Sequence, residues 1–457
     1  MMPNKAQVLR FFGFWKRNCW KLWFPGIALV VLYQYAPVLQ GDFPLEPETG
    51  FFFGSFHGTP WHKVPMFQMY YSLFPVVNCI QKISVELFYF SHRALYGVML
   101  AIHLLNILLV FLITRKLWRR IAPAECGDTE RAANWAGVLA SIAFGTFNSY
   151  YHCLANPSVM CGVGVVYAVI LLYAFLVLVI LGSDKKMPWL YGMCVVIAGI
   201  LPFMFMTSIS FLAITVVLFV CVGSDWRKKA WLVVPLIAVN LAALFVEVGF
   251  LDARFSRGTV AATSGWNPHS FGLLPNIVRD PATFGMTVLH TAFGGVQFGL
   301  VHQNLLFSTT PYSFPYLAGF SFLVMYLALA LGHARIARIN ILLWLIVFVN
   351  LVNICIMRNP LSGESGRMFD AYWVASMPRY YYFPAAVMAV SVGLSSGWLL
   401  TLLPKRRVLF GLCVVLILAF AASNAMFSRE KIDYLKQHMS SEVFKYTPNS
   451  LKLNPWP

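Results

Sequence analysis

The chain has 457 residues, of which 59% are hydrophobic and only 11% charged, whereas about 25% of residues are charged in an average soluble domain. Its 34 Lys and Arg against 17 Asp and Glu give a formal net charge of +17. This composition excludes a soluble globular protein, a disordered chain and a disulfide-rich secreted module. The basic residues lie between long apolar runs rather than on one polar face, which argues against a nucleic-acid partner and predicts an all-α, polytopic integral membrane protein.

About eleven apolar segments are predicted to cross the membrane, because a bilayer core needs about 20 helical residues per span. The first begins after a basic N-terminal stretch, and the last ends before a polar tail. In chain order the predicted spans are 23–39, 94–114, 135–147, 161–181, 189–206, 209–222, 231–250, 316–331, 340–357, 381–403 and 408–427.

The positive-inside rule fixes the predicted orientation. With the N-terminus in the cytoplasm, all the short, densely basic segments between spans fall on the cytoplasmic side. This arrangement gives a cytoplasmic N-terminus (1–22), a membrane domain (23–427) and an extracytoplasmic C-terminal tail (428–457). The large extracytoplasmic loops are then about 40–93, 251–315 and 358–380. We expect the membrane to be the bacterial cytoplasmic membrane.

The first outer loop carries candidate catalytic carboxylates. Asp42 follows the first span by a few residues, and Glu48 comes soon after it. A carboxylate held at the membrane surface can accept a proton from an acceptor hydroxyl. Lys63 follows an aromatic segment and is a candidate phosphate ligand. The alternatives are a solvated acidic loop and an interfacial aromatic belt with snorkelling cations.

The third outer loop carries three arginines close together in the sequence: Arg358, Arg367 and Arg379. A guanidinium offers paired donors and keeps its charge, which suits a phosphate or pyrophosphate group. Arg379 precedes an aromatic run that begins with Tyr380 and enters the tenth span. The alternative is that Arg367 and Arg379 form structural ion pairs with acidic residues of the same loop.

Two further groups of polar residues lie in or next to spans. His103 and Asn106 share one face of the second span, and their spacing favours hydrogen bonds to a neighbouring helix. His152 follows the third span in a polar, aromatic segment that either lines a cleft or caps the helix end. The cysteines and histidines show no metal-ligand spacing, and the nucleotide-binding, serine-hydrolase and zinc-protease motifs are missing. The sequence therefore predicts no metal and no cofactor.

Four stretches resemble the GT-C class of membrane glycosyltransferases, such as the protein O-mannosyltransferases and lipid A aminoarabinose transferases. They are Asp42 after the first span, His103-Leu-Leu-Asn106 in the second, Phe144-Gly-Thr-Phe with His152 and Asn156-Pro157 after the third, and Arg379-Tyr-Tyr-Tyr-Phe-Pro384 at the tenth. The resemblance implies an enzyme that takes sugars from polyprenyl-phosphate carriers outside the membrane.

These observations predict a glycosyltransferase that moves a sugar from a polyprenyl phosphate to a glycan, lipid or protein acceptor. Asp42 is the predicted base for an inverting displacement, with Glu48 as its substitute. The predicted substrate and phosphate ligands are Lys63, His152, Arg358, Arg367, Arg379 and Tyr380. A transporter or flippase of a lipid-linked glycan, a polysaccharide polymerase or ligase, and a non-catalytic assembly subunit remain alternatives.

Overall fold

The computed structural model describes residues 22–39, 60–61, 82–83, 86–87, 92–122, 129–147, 164–183, 187–200, 208–222, 226–255, 281–282, 285, 288, 333–357, 382–401 and 403–438. Within these ranges the regular structure is helical and contains no strand. The helices are α1 (Trp23–Leu39), α2 (His92–Ile121), α3 (Thr129–Gly145), α4 (Val165–Leu181), α5 (Pro188–Ile200), α6 (Ser208–Val222), α7 (Trp226–Phe255), α8 (Ala334–Met357), α9 (Tyr382–Thr401) and α10 (Leu403–His438).

The all-α architecture is thus confirmed over the described residues. Among them, four helices contain a segment long and apolar enough to cross a membrane: Tyr96–Ile121, Lys229–Val246, Ala334–Val352 and Tyr382–Thr401. Further apolar helices are shorter, including Trp23–Leu39 and Val165–Leu181. The predicted span 316–331 lies outside the described residues. The total of eleven spans and their orientation therefore stay predictions.

Helix α9 forms the centre of the bundle. It is buried from Tyr382 to Leu399, and small side chains let its neighbours come close. A Cβ atom added at Gly393 would overlap the Ala136 carbonyl oxygen of α3, and one added at Gly397 would lie 3.0 Å from the Ala136 side chain. Such small-residue contacts drive helix packing in lipid, where apolar burial alone gives little preference for protein over lipid.

The other helices surround this centre in two groups. Helices α2 and α3 pack on α9, and α1 and α10 pack on each other beside them. On another side, α4 contacts both α2 and α6, and α6 continues to α7. Helix α8 joins the two groups because it contacts α6 and α9.

Two ends of the bundle differ in chemistry. At the Tyr382 end, α1 and α3 end while α4 and α9 begin. At the basic end, α3 begins and α2 ends, and Arg119 donates to Glu130 at 2.6 Å. Burial alone would raise the pKa of Glu130, but the hydrogen bond from Arg119 and the charges of Arg119 and Arg115 hold that pKa below its ordinary value.

Buried polar side chains link several helix pairs. Asn340 of α8 donates to Ser395 of α9 at 3.0 Å and accepts a bond from Ser391 at 2.8 Å. Elsewhere, Asn240 of α7 donates to the Tyr173 hydroxyl of α4 at 3.0 Å. Such bonds between helices are worth about 0.6 to 2 kcal/mol each in membranes, so they fix which helices are neighbours.

Helix α10 is longer than the predicted last span. Its apolar part ends near residue 427, but the helix continues to His438. The added turns are charged, and Arg429 pairs with Asp433 one turn later at 3.3 Å. Hydropathy predicts the length of the segment that crosses the membrane. It misses the polar turns of a helix, because Glu, Lys and Arg form helices well without being apolar.

Candidate functional site

A buried polar contact joins α2 to the first residue of α9. The Tyr382 hydroxyl lies 2.9 Å from His103 Nδ1, and Asn106 Nδ2 donates to the same hydroxyl at 3.0 Å. His103 and Asn106 are three residues apart, so both point from the same face of α2. The prediction that these two side chains bond to a neighbouring helix is confirmed.

The donors and acceptors in this contact suit a neutral histidine. Asn106 Nδ2 donates both to Tyr382 and to the Gly164 carbonyl, the latter at 3.3 Å. The Tyr382 hydroxyl can then give its own hydrogen to His103 Nδ1, which leaves the imidazole proton on Nε2. All three side chains are buried. The contact is therefore a hydrogen-bonded anchor rather than an exposed acid or base.

Aromatic rings from three more helices surround this anchor. Phe144 of α3 lies edge-on to Tyr382 with ring centroids 5.1 Å apart. Tyr167 of α4 stacks on Tyr382 at 5.6 Å, and Tyr35 of α1 lies edge-on to His103 at 6.4 Å. Five helices therefore meet here. We call the group the Tyr382 hub, defined by Tyr35, His103, Asn106, Phe144, Tyr167 and Tyr382.

Gln34 of α1 lies beside the hub in sequence and is fully buried. Neither its amide nitrogen nor its amide oxygen has a hydrogen-bond partner among the described residues. The Asn106 Oδ1 atom likewise has none within that part of the chain. A buried polar group without a partner costs about 1–3 kcal/mol. A ligand that bonded to these groups near the end of α1 would remove that cost.

The residues predicted to form the site all lie outside the described residues: Asp42, Glu48, Lys63, His152, Arg358, Arg367, Arg379 and Tyr380. Their roles stay predictions. Several nevertheless follow or precede hub helices closely in the chain. Asp42 comes three positions after Leu39, His152 five after Phe147, and Arg379 and Tyr380 three and two before Tyr382.

The sequence analysis missed two polar features, of which the first lies next to the hub in the chain. Gln34 is one polar residue in an otherwise apolar segment, which is itself a functional indicator in a membrane helix. Lys82, in the predicted first outer loop, is buried, pairs with Glu86 and lies over the Trp61 ring at 5.8 Å. The spacing of Lys82 and Glu86 by four residues is typical of a helical ion pair and would have identified it.

The described residues contain no group of three or more His, Cys, Asp or Glu side chains able to hold a metal ion. Cys194 is a free, buried cysteine. No protein-family model matches the chain, and comparison with curated proteins finds no similar sequence.

Proposed function

We propose that this protein is a membrane glycosyltransferase that moves a sugar from a polyprenyl-phosphate donor to an acceptor outside the cytoplasmic membrane. One observation carries the proposal. The helices that meet at the Tyr382 hub are those whose flanking segments hold Asp42, His152, Arg379 and Tyr380. A carboxylate and a guanidinium that are far apart in sequence are thereby attached to one packed group of side chains.

Covalent geometry limits how far these residues are from the helix ends. Consecutive Cα atoms are about 3.8 Å apart, so the Arg379 Cα lies within about 11 Å of the Tyr382 Cα. The same limit applies to Asp42 and Leu39, and Leu39 is one helical turn beyond Tyr35 of the hub. A lipid-linked sugar phosphate placed above the hub would therefore be within reach of both chain segments.

The orientation in this proposal has the basic end in the cytoplasm. Helix α9 carries no Asp, Glu, Lys or Arg over its 20 residues, and at about 1.5 Å per residue it is about 30 Å long, enough to cross the bilayer core. Arg379 and Lys405 therefore belong to opposite membrane surfaces. With about eleven spans, the basic end satisfies the positive-inside rule and the Tyr382 end faces outward.

The proposed reaction is a single displacement. Asp42 accepts the proton of the acceptor hydroxyl as its oxygen attacks the anomeric carbon of the donor sugar. The bond from that carbon to the phosphate oxygen breaks, and the polyprenyl phosphate leaves with the bonding electrons. Arg379, helped by Tyr380, His152, Lys63, Arg358 or Arg367, stabilises the negative charge on the leaving phosphate. The anomeric configuration is inverted.

Gln34 supplies a neutral hydrogen-bonding group for the donor in this proposal. An amide both donates and accepts, as a sugar hydroxyl does. We expect Gln34→Leu to stabilise the folded protein by about 1–3 kcal/mol, because it removes a buried amide that has no partner among the described residues. The same substitution should raise the donor KM about tenfold. Thermal unfolding in detergent and initial rates of transfer check both effects.

An increase in stability with an unchanged donor KM would remove Gln34 from the proposed site. Asn240→Leu is the matched control, because that amide is also buried but donates to Tyr173 at 3.0 Å. Breaking this bond should destabilise the protein by about 1 kcal/mol. The two substitutions are therefore expected to change stability in opposite directions.

Donor binding tests the proposed function without knowledge of the acceptor. Full-length protein in lipid vesicles should bind undecaprenyl phosphate, and Arg379→Gln should weaken that binding about 10- to 100-fold through loss of charge-assisted hydrogen bonds. Arg338→Gln is the control, because Arg338 is an exposed cation near the start of α8. Equal binding by wild type and Arg379→Gln would contradict the proposal. Movement of a lipid-linked sugar across the vesicle without a new glycosidic bond would favour a transporter.

A further inference from the structure

Helix α1 contains a proline close to its end, and this proline frees a backbone carbonyl. Pro37 lies inside the helix and has no N–H, so it cannot donate the usual bond to the carbonyl four residues earlier. That carbonyl belongs to Tyr33. A helix carbonyl that has lost its donor in an apolar environment needs another partner.

Arg429 of α10 is the hydrogen-bond donor to that carbonyl. Its Nη1 donates to the Tyr33 oxygen at 2.9 Å, across 396 positions of the sequence. The guanidinium also lies over the Tyr33 ring at 5.5 Å, while its Nε donates to Asp433 at 3.3 Å. Arginine can make these three contacts together because its planar fork presents several donors in fixed directions.

The depth of Arg429 agrees with a contact at the membrane surface. Residues 408–428 carry no Asp, Glu, Lys or Arg, and as a helix they are about 31 Å long. Arg429 is therefore separated from the basic residues at the start of α10 by a full bilayer core. Its side chain is 30% exposed and that of Asp433 is 45% exposed. A charged pair with this exposure is stable at the surface and costly in the hydrocarbon core.

We propose that Arg429 is a positioning residue that holds the last turn of α1. Arg429, Asp433, Tyr33 and Pro37 form what we call the Arg429 latch. The latch contacts α1 at the residue before Gln34, in the turn that leads to Leu39. It thereby sets the direction in which the chain leaves α1 towards Asp42. The catalytic consequence rests on the proposed function, whereas the mechanical role does not.

The mechanical role is tested by the distance between α1 and α10. Spin labels at two exposed positions, Leu29 and Met426, are placed in full-length protein whose native cysteines have been replaced. We expect a narrow distance distribution in the otherwise unaltered protein and a broader one with Arg429→Gln. Arg429→Lys should give a distribution of intermediate width, because lysine keeps the positive charge but lacks the planar guanidinium. Glu430→Gln replaces an exposed neighbouring residue and should leave the distance distribution unchanged.

A double-mutant cycle with Pro37→Ala identifies the acceptor. This substitution supplies an N–H for the Tyr33 carbonyl, so adding Arg429→Gln to it should broaden the distribution much less than Arg429→Gln does alone. Additive effects would overturn the latch, as would a distribution that Arg429→Gln leaves unchanged. An equal effect of Glu430→Gln would also overturn it.

Kinetics separate positioning from structural support. Arg429→Gln is expected to lower kcat about 10- to 100-fold while the donor KM changes less than about twofold, since misplacing a catalytic group by about 1 Å has effects of this size. If Arg429→Gln broadens the distance distribution between α1 and α10 but leaves kcat unaltered, the positioning role is refuted. If the wild-type protein transfers no sugar, the proposed function fails, and the spin-label distances still decide whether the latch exists.

Discussion

Asp42→Asn is expected to reduce the rate of sugar transfer about 10²- to 10⁴-fold, the usual effect of losing a general base. The amide has nearly the shape of the carboxylate but cannot accept the proton of the acceptor hydroxyl. The rate is measured in vesicles containing the full-length protein, a polyprenyl-phosphate sugar and a cell-envelope extract as the source of acceptor. Release of free polyprenyl phosphate is the readout.

Glu48→Gln is the matched control for this substitution. If Asp42 is the base, Glu48→Gln should leave most of the transfer rate intact. A reversed result, with Asp42→Asn fully active and Glu48→Gln inactive, would assign the proton transfer to Glu48. Full activity of both folded variants would show that neither carboxylate is the base.

Gly393→Val is expected to prevent the bundle from assembling. The added side chain would overlap the Ala136 carbonyl oxygen, and backbone atoms of a packed helix cannot move aside. Overpacking of this kind costs about 1–3 kcal/mol or more. Gly393→Ala should therefore lower the thermal unfolding midpoint, and Gly393→Val should leave little monodisperse protein. Fluorescence-detected size-exclusion chromatography after heating measures both outcomes.

Gly199→Ala is the control, because a Cβ added at Gly199 meets no atom within 4 Å. Alanine is favoured over glycine in a helix by about 0.5–1 kcal/mol, so this substitution should be neutral or slightly stabilising. Equal midpoints for Gly393→Ala and Gly199→Ala would contradict the close packing of α3 against α9.

The sequence predicted most helix positions, because each helix has a long apolar segment. The predicted first span, 23–39, has the bounds of α1. Helix α2 extends past its predicted end at residue 114 to Ile121, and α3 begins at Thr129 instead of residue 135. Both extensions contain Arg, Lys or Glu, which favour helix but end an apolar run. These two differences thus lie at charged helix ends.

The sequence could not predict which helices are neighbours. The contact of His103 with Tyr382 spans 279 positions, and hydropathy contains no information about such pairings. It did predict that His103 and Asn106 bond to another helix. The burial of Gln34 was missed, although a single amide in an apolar span is a signal that the sequence offered. The contact of Arg429 with the Tyr33 carbonyl was not predicted either, because the two residues are 396 positions apart.

The separation between Asp42 and Arg379 tests the account most directly. Spin labels at these two positions, in full-length protein without its native cysteines, give this distance in lipid vesicles. We predict a separation below about 20 Å, because a carboxylate and a guanidinium that act on one sugar phosphate must both reach it. The chain allows this, since each residue lies within about 11 Å of a helix end at the Tyr382 end of the bundle. A separation of about 30 Å or more, the thickness of a hydrocarbon core, would contradict a shared site for the carboxylate and the guanidinium.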